Sequence, residues 1–160
     1  LASPVDGRVV KLSRAKADLT AHEALAKTSR HFPATFRRCD SALFGEEGVL
    51  HALELEKVVL APAMPLQGLA DFLYRHKEFR LTPLSSAAAG IRSGERFASG
   101  LPSSLGDALD EICRYAAKNH GLSAIIDLYT FQNWGVRADG TLVVIDPMNL
   151  APEVEAGHTH

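Results

Sequence analysis

The period of the apolar positions changes several times along the chain, and each change marks an element. Residues 8–12 read as a strand after an Asp6-Gly7 turn, the second arm of a small hairpin over residues 1–12. Lys11 interrupts its apolar run and is expected on the solvent face of an edge strand. Residues 18–31 predict a helix. Thr20 is its N-cap, Glu23 closes a capping box, Leu19 and Ala24 form the accompanying staple, and Pro33 stops it. Residues 34–39 and 49–60 predict strands around a turn at 45–48, with Glu54 and Glu56 alternating against apolar neighbours. Two prolines in 61–65 make a stiff connector. A short helix over 66–76 carries Leu66, Leu69, Ala70 and Leu73 at helical spacing. The Ser-, Ala- and Gly-rich stretch 80–101 is expected to be a loop with one helical turn, and the most mobile part of the chain. From Ser103 or Ser104 to His120 a helix buries Leu105, Ala108, Leu109, Ile112, Cys113 and Ala116, with Gly121 as terminator. A short strand over 123–126 follows, and 153–160 reads as a frayed tail.

The most informative stretch is 127–147. Residues 134–137 and 141–145 are two short strands joined by Asp139-Gly140, a favoured tight-turn pair. Asn133 stands before the first strand and Asp146 after the second. An antiparallel hairpin brings its ends together, so an amide oxygen and a carboxylate are expected close to one another. Hard oxygen ligands of this kind suit Mg²⁺, above all where phosphate oxygens complete the shell.

Composition narrows the setting. Hydrophobic residues make up 46% of the 160, enough for a core, so disorder is not expected. The length suits one domain, or two small lobes meeting at the connector: 1–61, β-rich with one helix, and 62–160, mainly helical. A formal net charge of −2 gives no electrostatic case for nucleic acid or an anionic membrane as partner. Cys39 and Cys113 lie in apolar-patterned segments and read as buried free thiols in a reducing compartment. With no transmembrane run and no signal-peptide pattern, the expected location is cytoplasmic. The histidines show no metal-ligand spacing, and there is no nucleophile elbow and no Walker A loop.

The order of the pieces resembles the protein-kinase-like fold, in particular its aminoglycoside-phosphotransferase and phage kinase-like branch. A strand with Lys11, a helix with Glu23, two strands, a proline-bearing connector, helices, a catalytic-type loop, a hairpin and an aspartate follow one another. Asn133 and Asp146 are thirteen residues apart, the usual separation in that family, and Asp146-Pro147-Met148 stands where Asp-Phe-Gly stands in protein kinases. Val9-Val10-Lys11 resembles the Val-Ala-Ile-Lys motif, and Asp127 stands near the catalytic aspartate. The resemblance implies an α+β fold of two lobes, a small antiparallel sheet with one helix beside a mainly helical lobe carrying the hairpin. It also implies ATP and Mg²⁺ as cofactors. Lys11 would hold the α/β-phosphates and pair with Glu23, and Asn133 and Asp146 would hold Mg²⁺. Asp127 would accept the proton of the attacking hydroxyl, and the backbone from Ala61 to Met64 would face the adenine.

The chain departs from the family pattern in several places. Asp127 and Asn133 are six positions apart where the motif has five, and Ile125-Ile126 precedes Asp127. No glycine-rich loop stands in the ten residues before Lys11, few residues follow Asp146, and the spacing from Lys11 to Glu23 is short. Three readings result. The first is a minimal kinase that phosphorylates a hydroxyl of a protein or small molecule. The second is a kinase-like protein without activity that binds a partner, of the kind phages and mobile elements carry. The third is an unrelated α+β interaction module. The stretch 80–101 is the expected partner or substrate surface.

Overall fold

The computed structural model describes residues 1–43, 49–77, 81–119 and 126–148. The turn expected at 45–48, the terminator Gly121, most of the 123–126 strand and the 153–160 tail lie outside them. Among the described residues the fold is α+β: four α-helices and two small three-stranded antiparallel sheets.

The first sheet has the order β1-β3-β2, from β1 (Arg8–Ser13), β2 (Thr35–Leu43) and β3 (Val49–Glu56). The expected N-terminal hairpin shrinks to a single bridge, Ala2 with Val9, around Gly7 at φ 77°. Helix α1 (Lys16–Ala26) packs on this sheet, and Leu19, Leu53 and Leu55 form a small core there with Val9 against it.

Helix α1 starts earlier and ends earlier than its sequence suggests. Ser13 Oγ accepts the Ala15 N–H at 3.0 Å, and the Asp18 N–H reaches Ala15 O at 3.0 Å. Thr20 therefore lies inside the helix, where its hydroxyl donates to Lys16 O at 3.2 Å, and the capping box does not form. Both the Thr28 N–H and its hydroxyl donate to Leu25 O, closing the last turn well before Pro33.

Residues 49–60 divide into β3 and a separate β4 (Val59–Leu60), which leaves the first sheet and joins the hairpin. The second sheet runs β4-β5-β6, with β5 (Trp134–Val136) and β6 (Leu142–Val144) as the expected hairpin arms. Gly140 turns it at φ 88°, a left-handed conformation that favours glycine, and the Gly140 N–H donates to Arg137 O at 2.9 Å.

Helix α2 (Ala63–Arg75) buries Leu66, Leu69, Ala70 and Leu73 as its spacing predicts. The stretch 80–101 is not a loop. Leu81–Ser93 form helix α3, followed by a short 3-10 turn over Arg96–Ala98. Leu84, Ala87, Ala88 and Ile91 are buried at helical spacing, and Pro83 sits in the first turn, where a missing N–H is tolerated. Its small residues permit close packing against α4 (Ser103–Asn119): a Cβ at Gly106 would stand 2.8 Å from Ala88 O. The three helices share a large core with Trp134, Leu142, Val144 and Met148 from the second sheet and its exit.

Neither cysteine forms a disulfide among the described residues, and Cys39 is exposed rather than buried. It alternates with Arg38, which turns toward α1, and so occupies the other face of β2. Cys113 is half-buried, and burial pushes its thiol up to about 11. Among the described residues no helix is long and apolar enough to cross a membrane.

Candidate functional site

Lys11 is paired in register with Leu53 of the central strand, and its side chain ends among three polar groups. Nζ lies 2.8 Å from His22 Nε2, 3.0 Å from Asp18 Oδ2 and 3.1 Å from Asp146 Oδ1. Asp18 and His22 come from one face of α1, because four residues advance the helix by about 40° beyond a full turn. Asp146 comes from the other end of the chain, just after β6. The exit of that strand is fixed by the Ile145 N–H, which donates to Asn133 O at 2.8 Å. The hairpin thus brings the backbone before Asp146 against Asn133, and delivers its last carboxylate to the lysine of the first sheet.

The electrostatics of the cluster follow from burial. His22 is 2% exposed, and desolvation, helped by the Lys11 ammonium, pushes its imidazole down to about 3. It is neutral near pH 7, and Nε2 accepts a hydrogen bond from Lys11. Asp146 is 37% exposed at its side chain. Burial raises its carboxyl above the usual range, Lys11 pulls it back, and the charges of Asp18 and Asp127 push it up again. Asp18 is 6% exposed; its Oδ2 is paired with Lys11, while its buried Oδ1 has no hydrogen-bond partner among the described residues.

Beside this cluster stands the loop from Asp127 to Asn133. Asn133 lies on a short 3-10 turn (Phe131–Asn133), and its Nδ2 donates to Asp127 Oδ1 at 3.0 Å and to Asp127 O at 3.1 Å. The Thr130 N–H also reaches Asp127 O, and the indole of Trp134 donates to Leu128 O at 2.8 Å. The loop is therefore held by its own hydrogen bonds and by a buried ring, with the Asp127 carboxylate turned toward Asn133.

The remaining sequence-predicted residues fare differently. Glu23 does not pair with Lys11. It is five residues beyond Asp18, about 140° around the helix, and makes an ion pair with Arg38 of β2 instead. The same guanidinium holds Asp40 at 2.6 Å and Thr20 at 3.1 Å. Asp18 is the carboxylate of α1 that meets Lys11. The Ala61 N–H is already engaged, donating to Trp134 O at 3.0 Å as the connector joins the second sheet. Met64 is 77% exposed. Sequence reasoning missed Asp18 and His22. The signal was available: an aspartate and a histidine at i and i+4 on the helix after a lysine-bearing strand.

A second polar assembly joins the first sheet to the hairpin. Arg137 makes a two-pronged contact with Glu56, Nε to Oε2 at 2.8 Å and Nη2 to Oε1 at 2.9 Å, and also donates to Arg30 O and Phe32 O. Buried His31 donates through Nδ1 to Leu142 O at 2.7 Å and accepts from Ser104 Oγ at 2.8 Å, while its carbonyl receives the Val144 N–H. A groove of about 650 Å³ opens next to it, lined by His31, Pro62, Pro65, Ser104, Val136 and Leu142 among others. Neither Lys11 nor Asp146 lines this groove.

The donors around Lys11 suit a cation. Asp18, His22 and Asp146 each offer a ligand atom within 4.8 Å of the others. Asn133 engages Asp127 through nitrogen, so Oδ1 is its donor atom for a hard cation. The chain matches no family model, no curated protein and no solved structure.

Proposed function

We propose that the chain is a minimal kinase-like phosphotransferase, passing the γ-phosphate of Mg-ATP to a hydroxyl of a protein or small molecule. One observation carries the reading. Lys11 and Asp146, 135 residues apart, form a 3.1 Å ion pair next to the Asp127–Asn133 loop. Phosphoryl transfer depends on placing charge around phosphate oxygens more than on covalent chemistry, and these four side chains are a cation, two carboxylates and an amide in one neighbourhood. In this reading the residues 1–61 and 62–160 act as two lobes about the connector at 61–65.

Each residue then has a role. Lys11 exchanges its contacts with Asp18 and His22 for the α/β-phosphate oxygens. Asp146 and the Oδ1 of Asn133 would hold Mg²⁺, whose chemistry there would be to neutralise phosphate charge. Asp127, oriented by Asn133, accepts the proton of the attacking hydroxyl. Asp18 takes the part expected of Glu23, keeping Lys11 placed between turnovers. The adenine would meet the connector at groups other than the Ala61 N–H, since that donor serves the second sheet.

Mg-ATP at about a hundred times its dissociation constant should add about 2.7 kcal/mol to stability, a shift that thermal melting resolves. Asp146→Ala should remove both that shift and any transfer of label from γ-labelled ATP. A wild-type protein whose melting is indifferent to Mg-ATP would overturn the nucleotide reading. A second reading, a kinase-like protein that acts by docking on a partner, is favoured by Val59, Leu60 and Met64, which leave 64%, 63% and 77% of their surface exposed along the connector. It predicts partner capture that survives Asp146→Ala and fails when Leu60 and Met64 are made polar.

A further inference from the structure

Lys11 occupies the place where a metal ion would sit. Its Nζ is within 2.8–3.1 Å of three atoms, a carboxylate oxygen, an imidazole nitrogen and a second carboxylate oxygen. The three donors themselves lie within 4.8 Å of one another. Metal–ligand bonds of about 2.0–2.2 Å require the side chains to close by roughly 0.6–1.1 Å from their present distances to Nζ. Independently, Asp18 is 6% exposed and its Oδ1 is buried without a hydrogen-bond partner among the described residues. A buried carboxylate oxygen that nothing satisfies is costly to keep. A doubly charged ion, unlike the single ammonium, can take both oxygens of that carboxylate.

We propose that Asp18, His22 and Asp146 form a three-ligand site for a divalent transition metal of the Zn²⁺ class, with the Lys11 ammonium as the competing occupant. One imidazole with two carboxylates selects Zn²⁺, Co²⁺ or Mn²⁺ over Mg²⁺, which prefers an all-oxygen shell. Charge gives the same direction. Two carboxylates around one ammonium leave a net charge of −1, and a divalent ion in its place brings the cluster to zero. The lysine stem tethers its own cation, so the metal enters only when Lys11 leaves. The site therefore has two exclusive states, closed on Lys11 or loaded with metal. This inference does not rest on the nucleotide reading, and no nucleotide enters its test.

The test is a Co²⁺ titration of the full chain, followed by visible absorption and by melting temperature, for the wild type, Lys11→Met and Lys11→Met/His22→Ala. Lys11→Met removes the competitor and should tighten Co²⁺ at least about tenfold over the wild type, since a neighbouring unit positive charge opposes a divalent ion strongly. Zn²⁺ should displace the Co²⁺ signal, and His22→Ala in the same background should lose at least about tenfold. Equal affinity in wild type and Lys11→Met, or Co²⁺ binding that survives His22→Ala, overturns the proposal. If Lys11→Met does not fold without metal, the wild type decides. A saturable Co²⁺ band that is lost in His22→Ala supports the site, and no such band overturns it.

Discussion

Two polar assemblies tie the first sheet to the hairpin, and they differ in how completely their members are partnered. In the Arg137–Glu56–His31 assembly the polar ends meet: the guanidinium has a carboxylate and two carbonyls, and both ring nitrogens of His31 are occupied. In the Lys11–Asp18–His22–Asp146 assembly a buried oxygen has no partner among the described residues, and a neutral imidazole and an ammonium sit side by side. A polar network with every member satisfied rigidifies a structure. One with donor atoms to spare is a place for a ligand. The comparison separates a clamp from a site although both span the same two parts of the chain.

Acid should distinguish the two assemblies most strongly. His22 has a folded pKa of about 3 against 6.5 for the free side chain. Below 6.5 the unfolded chain takes up a proton that the folded chain refuses, so stability is complete above pH 6.5 and falls as pH drops toward 3. The shift corresponds to roughly 4–5 kcal/mol over that window. Glu56 behaves differently. Arg137 holds its carboxyl below the usual 4.5, so the clamp contributes fully above that value and loses only at lower pH. Urea unfolding between pH 7 and pH 4 should show the decline from His22 first, and His22→Gln should flatten it. A wild type whose stability is level from pH 7 to pH 4.5 would contradict a buried neutral His22.

Mutations in the clamp come next. His31→Ala removes two buried hydrogen bonds and leaves a cavity, and should lower unfolding free energy by about 3 kcal/mol, while the melting shift with Mg-ATP keeps its size. Loss of that shift in His31→Ala would show that the clamp and the site are one device. The smallest effect is expected at Asp18. Because Lys11 is partly exposed and keeps Asp146 and His22 as partners, Asp18→Asn should change stability by under about 1 kcal/mol in urea. A loss as large as that of His31→Ala would mean that the cluster is primarily structural.

The sequence revealed what is local and strongly periodic. The hairpin at 134–145, the apolar stripes of α2 and α4, and the approach of Asp146 to the loop at Asn133 are all legible, because turn chemistry and spacing determine them. Helix α3 was hidden by its composition. Ala87 and Ala88 carry so little apolar weight that Leu84 and Ile91 look isolated, yet small residues are what permit its close approach to Gly106. Thr20 and Glu23 imitate a helix start, and only the bond from Ser13 Oγ to the Ala15 N–H, set by the exit from β1, reveals that the helix has already begun. The order of elements points to Glu23 as the partner of Lys11. The helix phase, fixed by that earlier start, gives the position to Asp18 and brings His22 with it.

Trp134 is the sole tryptophan of the chain, 1% exposed, and its indole N–H holds Leu128 O immediately after Asp127. Indole emission responds to hydrogen bonding and to polarity. The protein therefore contains a single indole fluorophore, hydrogen-bonded to the backbone of the loop that bears the proposed base. Excitation of that ring reads out rearrangement of the loop in unlabelled protein, with no second emitter of its kind to obscure the signal.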